Sequence, residues 1–138
     1  MRRVAVVLLI PLAIGACAGS ETTQAESAAG TVDTLIKACA AGRPHVALKV
    51  LTDPAKDALV KADTVTRGCL ELLGLRFEGV APRLVPDELR VTRVVSVDAN
   101  DLGATARLST PSGEHARVEL EKSRGVWSVT HAAARAGS

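Results

Sequence analysis

Three thiols carry the most informative chemistry in this chain: Cys17, Cys39 and Cys69. A thiol can be acylated, can ligate a metal or can join a second thiol, and spacing separates these fates. Cys17 follows the small residues Gly15-Ala16, whereas Cys39 and Cys69 stand far apart with no ligand-spaced neighbour. Other reactive groups are few. The histidines are His45, His115 and His131, and there is no Tyr to act as an oxyanion donor. General acid–base work needs a group titrating near the working pH and held within reach of substrate. His131 shares strand parity with Trp127 and Val129, so it could close an inner face with Phe77 and Trp127 as a candidate pocket; the plainer reading is a strand-end residue. His115 shares parity with Arg117, Glu119 and Glu121 and is expected in solvent, as is His45 beside Pro44. The carboxylate pairs Asp53/Asp57 and Asp98/Asp101 fall at helix-start and turn positions and lack the ligand count of a calcium loop. Nucleophile-elbow, S-x-x-K, zincin, P-loop and dinucleotide signatures are absent. The sequence reads as a protein that is not an enzyme, with no cofactor and no metal site.

Elements must position these groups, and the first is an address. Residues 1–17, MRRVAVVLLIPLAIGAC, place two arginines before an apolar run from Val4 to Ile14 and end in small residues and a cysteine. That is the layout of an export signal, too short to remain as a membrane-spanning helix. The ending Ile14-Gly15-Ala16-Cys17 resembles the lipobox of bacterial lipoproteins. The resemblance implies a signal peptide over 1–16, acylation of Cys17 (diacylglycerol and palmitate) and cleavage before it. One acyl chain binds a bilayer marginally, while two or more hold stably. The implied location is the cell membrane, lipid-anchored on its extracytoplasmic face. Residues 17–30 contain no large apolar side chain and are expected to form a lipid-anchored flexible tether.

Removal of the signal changes the charge. Taking Arg2 and Arg3 from the 17 Lys+Arg leaves 15 against 15 Asp+Glu, so the mature chain is formally neutral. With one Trp and one Phe besides, it lacks the concentrated positive charge and stacking rings of a nucleic-acid binder. The remaining length, 31–138, allows one domain with an aliphatic core.

Within that domain Val32, Leu35, Ile36, Cys39 and Ala40 follow a helical stripe, with Thr31 as N-cap and Gly42 as C-cap. Pro44 opens a second helical stretch that ends near Thr52-Asp53-Pro54, and a further helical run extends to about Leu75 with Gly74 as a stop. Cys39 faces inward. An even cysteine pair in an exported chain favours a Cys39–Cys69 disulfide; a metal pair and two buried free thiols are the competing readings.

After Leu75 the residue types change. Arg76 to Asp87 reads as an irregular connection with a short strand around Val80 to Val85. Leu89 to Val97 alternates, placing Leu89, Val91, Val95 and Val97 on one face. Ala104, Ala106 and Leu108, then Ala116, Val118 and Leu120, then Trp127 and Val129, continue the pattern across turns at Asp98–Gly103, Pro111-Ser112-Gly113 and Lys122–Gly125. Four strands at hairpin spacing make an antiparallel meander with one apolar face. Helices followed by strands define an α+β fold with N-terminal helices packed on a curved sheet.

The helix ending Cys39-Ala40-Ala41-Gly42, the second cysteine and the terminal Gly125-Val126-Trp127-Ser128-Val129 together resemble the NTF2-like, cystatin-like cone domains of small actinobacterial lipoproteins. The resemblance covers Thr31 to Ala133. It implies a cavity between sheet and helices, although short helices and four strands leave little room for a deep one. Two roles follow as expectations. One is a non-catalytic module of the cell envelope that binds a partner protein; the alternative is a carrier of a small apolar ligand, with an NTF2-like enzyme further behind.

Overall fold

The computed structural model describes residues 11–75, 87–111, 113 and 115–130, with side chains from Thr23 onward. Among these residues four α-helices and a 3₁₀ helix precede a four-stranded sheet: α1 (Pro11–Ala41), α2 (Pro44–Leu48), α3 (Asp53–Lys61), α4 (Val65–Leu73), the 3₁₀ helix (Asp87–Val91), then β1 (Arg93–Ala99), β2 (Gly103–Ser109), β3 (His115–Ser123) and β4 (Val126–Val129). The class is α+β, as expected. The strands pair antiparallel in the order β1-β2-β3-β4. The expected connection Arg76–Asp87 with its short strand at Val80–Val85, like Phe77 and His131, lies largely or wholly outside the described residues.

α1 starts far upstream of Thr31. Thr31 is not an N-cap: its Oγ1 donates to the Ser27 carbonyl at 3.1 Å, and Thr34 does the same to Gly30 at 2.9 Å, the habit of hydroxyls inside a helix. Ala28 is fully buried and extends the stripe of Val32, Leu35, Ile36 and Cys39 by one turn. This corrects the reading of 17–30 as a flexible tether. Alanine is the best helix former, and a small side chain packs where two elements approach closely, so a segment without large apolar residues still joins the core at its end.

Both expected glycine stops are present. Gly42 and Gly74 take φ of +69° and +70°. The Arg43 and Leu75 amides donate to the Ala38 and Leu70 carbonyls at 2.8 and 2.9 Å, and the glycine amides donate to Cys39 and Glu71. This double bond closes the last turn and satisfies carbonyls that would otherwise lack partners. The run expected up to Leu75 is two helices. Thr64 begins the second, its side chain accepting from the Arg67 amide at 3.0 Å.

The segment after α2 does more than turn. The Val129 amide donates to the Val50 carbonyl at 2.8 Å, the Thr52 amide donates to the Val129 carbonyl at 2.9 Å, and Leu51 bridges Val129 in parallel. Val50–Thr52 thus pairs with the outer edge of β4, a way of protecting an edge from foreign strands.

The first strand departs most from expectation. Leu89 and Val91 belong to the 3₁₀ helix, where Leu89 is fully buried and Val91 is exposed. Thr92 Oγ1 donates to the Glu88 carbonyl at 2.7 Å, which favours this turn over extended chain. Within β1, Val94 pairs with Leu108 and Ser96 with Arg107, so Val95 is the extra residue of a β-bulge and is 58% exposed. A bulge shifts the alternation by one. Val94, Val97 and Ala99 consequently pack on the core face, and the expected common parity of Leu89, Val91, Val95 and Val97 does not hold.

The core lies between α1, α4 and the sheet's inner face of Ala104, Ala106, Leu108, Ala116, Val118, Leu120, Trp127 and Val129. Where α3 meets α4 the approach is closest at Gly68: a Cβ there would sit 2.8 Å from Leu59 Cδ1 and 2.9 Å from Ala62 Cβ. Overpacking of this kind costs about 1–3 kcal/mol and outweighs the ~1 kcal/mol that Ala gains over Gly in a helix. Gly68→Ala is therefore expected to lower stability, read as a reduced urea midpoint with an unchanged m-value.

Candidate functional site

The fold brings together one pair of sequence-predicted residues. Cys39 lies near the end of α1 and Cys69 in the middle of α4; both are buried, their Cα atoms are 5.8 Å apart and their sulfurs are within bonding distance. The helical stripe explains Cys39, and the strong amphipathicity of α4, which buries Thr66, Gly68, Cys69, Leu72 and Leu73, explains Cys69. The link spans a sequence separation of 30 residues. It joins the first helix to the last one before the sheet. The metal-pair reading finds no support: among the described residues no group of three or more His, Cys, Asp or Glu could hold an ion.

Trp127 is 6% exposed and sits on the inner face of β4, opposite Lys122 of β3. The Lys122 ammonium stands over the ring, 5.6 Å from its centroid and within cation–π range, so the buried ring also carries a cation on one face. Its proposed pocket partners Phe77 and His131 lie outside the described residues. Trp127 is thus a core residue at the end of the sheet where β3 turns into β4.

The remaining histidines are apart and exposed, His45 on α2 and His115 at the start of β3. The carboxylates do local work. Asp53 opens α3 and pairs with Lys56 at 3.6 Å, an exposed contact of small energetic weight. In the β1–β2 turn the side-chain bonding expected of Asp98/Asp101 is supplied by Asn100, whose Oδ1 accepts from the Leu102 and Gly103 amides at 2.8 and 3.0 Å. Asp101 instead accepts from Gln24 Nε2 at 3.1 Å, tying the upstream part of α1 to the sheet. Sequence reasoning missed this contact, because nothing in a helix 77 positions away marks its partner in a turn. Glu119 Oε2 accepts from Thr105 Oγ1 at 3.2 Å across β2 and β3 on the solvent face.

Cys17 falls within the backbone of α1. Among the described residues no helix is long and apolar enough to cross a membrane. Comparison of the chain with protein-family models, with curated proteins and with solved structures finds no match.

Two measurements probe this arrangement. In the chain-entropy model a 30-residue closure contributes about 3–4 kcal/mol. The intact protein is expected to be two hydrogens lighter by mass spectrometry than its reduced form, and Cys39→Ser/Cys69→Ser to lose that stability in urea titration; ready alkylation of both thiols without reductant would contradict the link. Trp127→Ala removes a buried ring from a core with few large side chains and is expected to cost about 3–5 kcal/mol, seen as a lowered melting temperature.

Proposed function

We propose that this chain is a lipoprotein of the extracytoplasmic membrane face, anchored through acylated Cys17, and that its α+β domain is a non-catalytic module which binds a partner of the cell envelope. The observation that carries the reading is the sequence Ile14-Gly15-Ala16-Cys17 behind a basic pair and an apolar run. The paired Cys39 and Cys69 support it, since such links persist where exported proteins reside. Anchor and core then share one element, because α1 carries both Cys17 and Cys39.

The NTF2-like part of the reading draws on the order of helices before a meander and on the bulge in β1, a device that bends and twists a sheet. The non-catalytic part rests on the lack of nucleophile signatures and on the exposure of His45 and His115. Binding, in this view, uses surfaces of the domain, and the anchor supplies location and local concentration.

Cys17→Ala tests the anchor. The variant is expected to leave the membrane fraction or to accumulate as an unprocessed precursor, and globomycin is expected to block maturation of the wild type. Processing of the variant to a membrane-held form would overturn the proposal.

A further inference from the structure

Two large apolar side chains are exposed at one end of the sheet. Leu102 in the β1–β2 turn is 78% exposed and Val126 at the start of β4 is 60% exposed. They share that end with β3 between them: the Lys122 amide donates to the Leu102 carbonyl at 2.9 Å, and Val126 pairs with Ser123 across the β3–β4 turn. Turns normally carry polar residues, and the Asn100 side chain already supplies the turn chemistry here, so Leu102 is not needed for the bend. At this end the chain also carries Lys122 on β3 and Arg124 in the β3–β4 turn, with Asp101 and Glu121 as the neighbouring carboxylates in sequence.

The adjoining hairpin is unusual in the same place. Arg124 and Gly125 take φ of +53° and +79°. A two-residue loop with both φ values positive favours Asn or Asp followed by Gly; an arginine there is held in a conformation that costs it energy. The turn requires the positive φ, but not an arginine to adopt it. Arg124 is exposed in this turn, two positions before Val126.

The same end is the one nearest Cys17. Gln24 bonds Asp101 of the β1–β2 turn. Seven residues separate Gln24 from Cys17, a reach of about 10 Å as helix and about 25 Å fully extended. We infer that the tip formed by Leu102, Lys122, Arg124 and Val126 rests on the phospholipid surface to which Cys17 is anchored, with Leu102 and Val126 among the headgroups and the two cations at phosphate level. This rests on the lipid-anchor reading. Apolar residues flanked by long cations suit an interface where the hydrocarbon boundary lies beneath a phosphate layer. Two such residues bind a bilayer weakly when free, but a tether of this length keeps them beside it and makes the contact effectively intramolecular. The domain would then be oriented as well as located, with the β2–β3 turn and the start of β3 directed away from the membrane.

The test uses the full lipidated chain in vesicles of phosphatidylethanolamine and phosphatidylglycerol. Its own cysteines are acylated or paired, so a single new thiol at Leu102→Cys, Val126→Cys or His115→Cys can carry an environment-sensitive fluorophore. His115 lies at the other end of β3, about 26 Å away along the strand. Flotation of each sample reads anchoring independently of orientation. The expected result is flotation of all three, with emission rising severalfold and becoming quenchable by a lipid-borne quencher at 102 and 126 but not at 115. Flotation with 102 and 126 as water-exposed as 115 overturns the orientation and leaves the anchor intact; loss of flotation overturns the anchor and the orientation together. Immobilised labels beyond reach of the lipid quencher also overturn the inference, and assign this tip to a protein partner.

Discussion

The link between Cys39 and Cys69 is the constraint on which the rest of the molecule depends. α1 is long, and its ties to the rest of the fold run from Gln24, bonded to the β1–β2 turn, to Cys39, joined to α4. Fixing Cys39 to α4 sets where that helix ends, and the Schellman turns at Gly42 and Gly74 then direct the chain out of each helix in a defined direction. A small domain with one buried aromatic ring among the described residues has a narrow margin of stability, so a covalent closure matters more to it than to a larger core.

Small side chains take up what the aromatics do not supply. Ala28, Ala47, Ala55, Ala104, Ala106 and Ala116 are all in the core, and Gly68 lets α4 approach α3 within the radius of a methyl group. Such a core gains little from each residue alone. Its stability comes from close approach of backbones and from dispersion contacts across many surfaces, which explains why an added methyl at Gly68 is costly. It also explains why β4, a short strand with Trp127 at its inner end, is held on both edges: by β3 on one side and by the Val50–Thr52 segment on the other.

The two ends of the sheet differ in kind. At the β2–β3 end, Gly74 at the close of α4 lies against the start of β3, near Ala116 and the Arg117 carbonyl. At the other end Leu102 and Val126 stand in solvent beside a strained arginine, and α1 leads from there toward Cys17. On the proposed N-terminal anchoring the sheet has a near end and a far end; the two most exposed apolar residues of the sheet and its turns, Leu102 and Val126, fall at the near one, while Val91 is exposed at the far one. Under the proposed anchoring, this asymmetry would give the domain a direction, with the end that carries Leu102 and Val126 toward lipid and the other end away from it.

By itself the sequence determined the α+β class, the inward stripe of α1, both glycine stops, three of the four strands with their parity, and the cysteines as the residues with chemistry. These are local matters, fixed by period, by cap geometry and by turn residues within a few positions. Only the tertiary structure decided that α1 continues upstream of Thr31, that Leu89 enters the core from a 3₁₀ turn and that a bulge at Val95 reverses the face of β1. Each depends on what a distant element offers: a sheet for Ala28 to pack on, a register with β2 for Val94 and Val97 to match, a turn for Gln24 to bond. An alanine-rich stretch is equally suited to a solvated tether or a packed helix, and alternation cannot reveal an inserted residue, because the partner strand rather than the strand itself sets the pairing.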